Sequence, residues 1–211
     1  MPWTPILLKL DDKKVFILGS GEVATRRAIR FHESGAKVTI CGDNIQKRLK
    51  DIGIKYRPLN EMEKWIKWAD IIITASGDPN LNEKAASLAY GKLLNRADKP
   101  QEGNLIVPIT FSTDDLDISI STKGKSPIMA RIIRDKIKDV ITEQDILQIR
   151  LQDYARRKLK KTIPDQKIRR KILYKISKDN KIQDHLKHGN LEGAKKYVDS
   201  LLDCGGILTD T

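Results

Sequence analysis

The chain has 211 residues, 39% of them hydrophobic, enough for a real core and well outside the disordered class. No apolar run approaches the roughly 20 residues of a membrane span, Met1-Pro2-Trp3-Thr4-Pro5 lacks the basic start and cleavage site of a signal peptide, and Cys41 and Cys204 alone make no disulfide framework. The economical reading is a cytoplasmic protein with no membrane partner, whose net charge of +12 points to a polyanion: nucleic acid, an anionic surface or a small polyanionic substrate.

In chain order, Ile6-Leu7-Leu8 and Val15-Phe16-Ile17-Leu18 are short apolar runs, and continuous runs of this kind suit strands buried on both faces of a parallel sheet. Val23 to Glu33 predicts a helix with Ala24, Ala28 and Phe31 inward, closed by Gly35. A strand over Lys37–Cys41 follows, then a short helix over 44–49 and a weaker strand over 54–57. Met62 to Ala69 reads as a helix that leads into a central strand, Ile71–Thr74. Asn80 to Tyr90 predicts another helix, with Leu81, Ala85, Leu88 and Ala89 inward, and Leu93-Leu94 a short strand before Asn95. Alternating strands and helices imply right-handed βαβ units, a Rossmann-like α/β domain.

After Gly103 the pattern changes. Residues 105–111 and 116–121 are β-like and joined by Ser112-Thr113-Asp114-Asp115, which predicts an antiparallel pair. From Pro127 onward the period is helical: Ile128, Ile132, Ile133 and Ile137 form one stripe, and Leu147, Leu151 and Tyr154 another. A boundary therefore falls near residue 112. Within the later helices, ten of the twenty positions from Arg156 to Lys175 are Lys or Arg, opposed only by Asp165, a pattern shared by solvated helix faces and anion-binding ones.

Gly19-Ser20-Gly21-Glu22-Val23-Ala24 is G-x-G-x-x-A, placed directly after a strand and opening a helix. Gly19 permits the tight turn, Gly21 lets the backbone approach a pyrophosphate, and small Ala24 lets helix and strand pack closely. The helix N-terminus adds free N–H groups and partial positive charge. Asp43 lies 22 residues beyond Gly21, after the second strand, where an acid accepts hydrogen bonds from ribose hydroxyls and repels a 2′-phosphate, favouring NAD over NADP; Gly42-Asp43-Asn44 also reads as a helix-capping loop. Thr74–Asp78 and Asn95–Asp98 follow later strands and belong to the same sheet edge, where Asp98 is a candidate general base or a turn residue. Ser126-Pro127 is a good helix start, and Ser126, Arg131 and Arg134 can face an anion. His32, His185 and His188 form no convincing metal site.

Taken together these segments resemble precorrin-2 dehydrogenase, the sirohydrochlorin-forming NAD-binding module of siroheme synthases. The resemblance lies in Pro5-Ile6, Val15 through Arg27 with its glycine turn, Ser34 through Thr39, Thr74 through Asp78 with Asn82, the N-x-x-D of Asn95 to Asp98, Asn104 through Pro108, and the G-x-S-P-x-x-A-R of Gly124 to Arg131 with Arg134. It covers roughly residues 5–140; the C-terminal third is similar only in helical character. Ser20 stands where the family often has a third glycine, and Gly77-Asp78 where an acidic pair is common.

The resemblance implies NAD-dependent oxidation of precorrin-2 to sirohydrochlorin, with Asp98 as the general base. It implies NAD contacts at Glu22, Val23, Asp43 and Asn44, beside the turn glycines Gly19 and Gly21, and a tetrapyrrole site near Ser126, where Arg131 and Arg134 are the candidate substrate-binding arginines. It implies a homodimer, with an NAD-binding Rossmann-like domain over 1–112, a dimerisation region over 113–145 and a helical C-terminal domain over 146–211. A polycarboxylate substrate suits the +12 charge, and 211 residues leave no room for the methyltransferase domain fused to some relatives. A dehydrogenase that also inserts iron into sirohydrochlorin is the alternative within enzymes. An NAD-sensing nucleic-acid-binding regulator is the alternative outside them, disfavoured because the basic segment has one aromatic residue, Tyr174, and no recognisable reading helix.

Overall fold

The computed structural model describes residues 3–43 and 46–203. The chain divides into two compact units, Met1–Val107 and Pro108–Thr211. The first holds five parallel strands, β1 (Lys14–Leu18), β2 (Lys37–Cys41), β3 (Lys55–Arg57), β4 (Ile71–Thr74) and β5 (Leu93–Arg96), in the order β3-β2-β1-β4-β5. Helices α1 (Glu22–Glu33), α2 (Lys47–Asp51), α3 (Met62–Trp68) and α4 (Pro79–Leu88) connect them. Successive side chains of a strand face opposite ways. Val15 and Ile17 of β1 accordingly pack with Ala24, Ala28 and Phe31 of α1, while Phe16 and Leu18 pack with Met62 and Ile66 of α3 and Ala85 of α4. Both faces being covered, β1 and β4 are apolar along almost their whole length, as a two-sided parallel strand must be.

Three differences from the sequence reading have physical causes. Residues 6–8 form no strand and are exposed, Ile6 at 80% and Leu7 at 84%; the run pairs with none of the five strands, and an apolar run without a ladder partner is no strand. Strand β5 runs on through Asn95 and Arg96, both buried, instead of stopping at Leu94. The strand expected over 105–111 is confined to β6 (Ile109–Ser112), because Leu105 and Val107 pack against the core of the first unit and Pro108 has no N–H to give a ladder.

In the second unit β6 pairs antiparallel with β7 (Asp117–Ile120), Ile109 opposite Ile120 and Ser112 opposite Asp117. Among the described residues five helices follow: α5 (Pro127–Val140), α6 (Glu143–Thr162), α7 (Gln166–Lys178), α8 (Asn180–Lys187) and α9 (Leu191–Asp203). Their core is built on Leu147, Leu151, Ala155 and Leu159, one turn apart along α6, against Ile172 and Ile176 of α7, Ile182 and Leu186 of α8, and Ala194 and Val198 of α9. Thr142 and Asp145 form a capping box on α6, and Asp165 and Asp179 cap α7 and α8. On α5 only Ala130 is buried; Ile128, Met129, Ile132, Ile133 and Val140 of this amphipathic helix are exposed.

The basic run falls on the second half of α6 and on α7, where Arg156, Lys160, Arg169, Arg170 and Tyr174 line a groove of about 470 Å³. Among the described residues no helix is long and apolar enough to cross a membrane. Cys41 is a free thiol, fully buried, and burial, with Glu61 and Asp43 nearby, pushes its pKa up to about 11. Cys204 lies outside the described residues.

Candidate active site

The carboxyl ends of β1, β2, β4 and β5 share one edge of the sheet, and the chain order reverses between β1 and β4, the place where a doubly wound sheet opens a ligand crevice. Gly19 begins the turn out of β1 with φ +114°, a conformation that side chains rarely adopt. Its N–H donates to the Cys41 carbonyl at 2.7 Å. A Cβ here would stand 2.3 Å from the Ala75 carbonyl oxygen. The glycine therefore lets two adjacent loops, after β1 and after β4, close on each other.

Gly21 differs. It is the N-cap of α1, exposed, with ordinary backbone angles and, among the described residues, nothing within 4 Å of the position of a Cβ. Among the described residues no side chain caps α1, so its first-turn N–H groups keep their donors for an anion. Glu22 and Val23 are exposed on that first turn, and Glu22 pairs with Arg26 at 3.9 Å. An uncapped helix start behind an open glycine fits a pyrophosphate. Asp43 is exposed at the end of β2; the N-cap of α2 is Gln46, so Asp43 does not cap that helix. The Tyr56 hydroxyl instead bonds the Gly42 and Asp43 carbonyls and fixes the loop from beneath. Asn44 lies outside the described residues.

The loop after β4 is pinned by Asn82, a buried residue of α4 that accepts from Ser76 N at 3.1 Å and donates to Ser76 O at 2.9 Å. Asp78 caps α4, accepting from Asn80 N at 2.8 Å and Leu81 N at 3.4 Å.

Asp98 follows β5, and its side chain is 21% exposed. Oδ1 accepts from the Thr74 hydroxyl at 3.0 Å and from Arg96 Nε at 3.1 Å; Oδ2 accepts from Arg96 Nη2 at 2.7 Å. Burial pushes the carboxyl up, but the Arg96 fork and then the Thr74 hydroxyl outweigh it and hold Asp98 below the usual carboxylate range. Arg96 is itself 2% exposed, and its Nη1 also meets Glu83 of α4 and Glu102, each at 3.1 Å. Lys99 pairs with the same two glutamates. The sequence reading placed Thr74 and Arg96 on the same sheet edge as Asp98 but gave neither them nor Glu83 and Glu102 a bond within its surroundings. One signal was available: an arginine two residues before the acid, at the end of a strand, has to be met by carboxylates if it is buried.

In the second unit, Ser126 is the N-cap of α5. Its Oγ accepts from Met129 N at 3.1 Å, and its own N–H and carbonyl are both bonded to the Thr122 hydroxyl. Arg131 is exposed one turn on, and Arg134 is forked onto Asp135 at 2.8 and 2.7 Å. Among the described residues no three His, Cys, Asp or Glu side chains are grouped to hold a metal ion. His188 bonds the Asp184 carbonyl and His185 lies beside Asn190.

Residues 6–109 match a family described as "Putative NAD(P)-binding", and residues 114–139 one described as "Sirohaem biosynthesis protein central". The chain is 35% identical over 197 residues, 87% of its own length and 94% of the relative's, to a Methanocaldococcus jannaschii protein named "Putative precorrin-2 dehydrogenase". It is 31% identical to the "Precorrin-2 dehydrogenase" of Methanosarcina barkeri, covering 82% of this chain and 81% of that one. It also matches the "Siroheme synthase" of Thioalkalivibrio sulfidiphilus at 24% identity, and there spans 43% of the relative's length. Among solved structures, "SirC, precorrin-2 dehydrogenase" superposes with a TM-score of 0.76 at 20% identity, over 94% of this chain and 100% of that one, and so shares its fold.

Proposed function

This chain belongs to the precorrin-2 dehydrogenase family, and we propose that it oxidises precorrin-2 to sirohydrochlorin with NAD, in siroheme synthesis, using Asp98 as general base. The observation that carries the role of Asp98 is a carboxylate held ionised on the same sheet edge as the glycine turn: Leu18, Thr74 and Arg96 lie side by side in register, Gly19 follows the first, and Asp98 is bonded to the other two.

Gly19, Gly21, Glu22, Val23, Asp43 and Asn44 are the residues that hold NAD in this reading. Bound NAD supplies a hydride acceptor. The uncapped start of α1 receives the pyrophosphate, and the exposed Asp43 carboxylate at the end of β2 takes the ribose hydroxyls and selects against a 2′-phosphate. Asp98 accepts a proton from the macrocycle as the hydride leaves. An ionised carboxylate is the form that can do so, and Asp98, held below the usual range by Arg96 and Thr74, is in that form at neutral pH. Ser126, Arg131 and Arg134 serve the carboxylates of the substrate, and the excess of Lys and Arg over the chain attracts them from a distance. The working form is a cytoplasmic homodimer. Residues 113–145 make its interface, between an NAD-binding domain over 1–112 and a helical domain over 146–211.

The test is an anaerobic assay of NADH release from precorrin-2. Asp98→Asn is expected to lower kcat/KM by about 10²–10⁴-fold, with NAD affinity unchanged. Retained activity in that variant removes Asp98 from the role of base. Absence of NADH release by the unaltered protein removes the reaction.

A further inference from the structure

We infer that Arg96 is a positioning residue for the reaction: buried behind Asp98, it fixes the orientation of the Asp98 carboxylate, and Glu83 and Glu102 set how strongly it does so. The inference rests on the reading of Asp98 as the base and goes beyond it in assigning three more side chains.

A guanidinium 2% exposed is costly unless its donors are met. Here they are divided. Nε and Nη2 grip the two oxygens of Asp98 as a fork, at 3.1 and 2.7 Å, which fixes both the distance and the plane of the carboxylate. Nη1 faces outward, to Glu83 and Glu102 at 3.1 Å each. The groups around Asp98 are thus Arg96 of β5, Thr74 of β4, Glu83 of α4, and, after β5, Lys99 and Glu102, with Lys99 bridging the two glutamates at 3.5 and 3.3 Å. Three carboxylates meet two cations.

Arg96 opposes protonation of Asp98, whereas the two glutamates, by compensating its charge, favour it. Glu83 is 61% exposed and Glu102 49%, so either can be altered without opening the core. A simple structural arginine predicts no opposed signs.

The test is the pH profile of kcat/KM for precorrin-2, followed by NADH release, in the full-length protein. The substrate's own titrations are common to every variant, so differences between profiles belong to the protein. Arg96→Gln is expected to move the acid limb up by about one to two pH units, with NAD affinity retained. Arg96→Lys, which keeps the charge but loses the fork, is expected to move it up by less. Glu83→Gln and Glu102→Gln are expected to move it down, by roughly a few tenths of a unit each at such exposure. An unmoved acid limb in a folded, NAD-binding Arg96→Gln overturns the inference. If the Arg96 variants do not fold, the glutamate variants decide, and an unmoved or raised limb in both overturns it. Full activity of Asp98→Asn in the same assay sinks the reading of the base itself, a result distinct from either.

Discussion

Gly19 and Gly21 stand two residues apart in one motif and do different work. At Gly19 a methyl group would meet the Ala75 carbonyl at 2.3 Å, and φ is +114°. The backbone conformation and the overpacking each cost on the order of 1–3 kcal/mol. Gly19→Ala is therefore expected to lower stability by about 3 kcal/mol or more, read from urea unfolding, and to abolish NAD binding along with the turn. At Gly21 the space is open and the angles are ordinary. Gly21→Ala is expected to leave stability within about 0.5 kcal/mol and still weaken NAD binding, because a methyl group at the cap stands where the backbone must approach a pyrophosphate. Equal losses of stability in the two variants would contradict this division. Asp98 shows the same contrast between what a residue type offers and what its neighbours make of it, since Arg96 and Thr74 hold its pKa below the usual carboxylate range.

At the scale of elements, β1, β2 and β4 were legible because apolar side chains on both faces leave a continuous run, and α1 because Ala24, Ala28 and Phe31 recur at helical spacing. The same rule misplaced Ile6–Leu8, since composition does not tell whether a neighbouring strand is free. It also cut β5 short. Asn95 and Arg96 look like loop residues, and their burial depends on partners outside the strand: the Leu105 carbonyl for Asn95, and Asp98, Glu83 and Glu102 for Arg96. Lys92 was likewise unreadable. It precedes β5, and its ammonium donates to the carbonyls of Ile66, Lys67 and Ala69 at 2.8, 2.8 and 2.6 Å, closing the C-terminus of α3. Those carbonyls have no partner further along the helix, and the cation also meets the negative end of the helix dipole. Lys92→Met keeps the length of the side chain and removes the donors. It is expected to cost about 1–3 kcal/mol in urea unfolding and to leave kcat unchanged; a neutral effect would mean that water replaces the ammonium there without loss.

At the scale of the whole molecule two forces oppose each other. Ile128 and Val140 of α5 are 70% and 73% exposed, and Met129, Ile132 and Ile133 are exposed with them. Each such side chain gains about 1.5–3 kcal/mol when fully buried, so one apolar face of a 14-residue helix favours being covered, and in the proposed dimer a second copy covers it. The net charge of +12 resists bringing two copies together, and over distances beyond about 8 Å that repulsion is screened at physiological salt. The proposed dimer should accordingly tighten as salt rises, while attraction for a polycarboxylate substrate weakens, so KM rises over the same range. Sedimentation velocity is expected to give twice the 24.0 kDa of the chain, with a dissociation constant that falls between low and moderate salt. Ile128→Glu combined with Ile132→Glu is expected to yield a folded monomer, because both positions are on the surface of a single chain and their loss removes no core contact. A monomer of the unaltered protein at all salt concentrations, or a dimer indifferent to the double substitution, would place the interface elsewhere and leave the apolar face of α5 without this explanation.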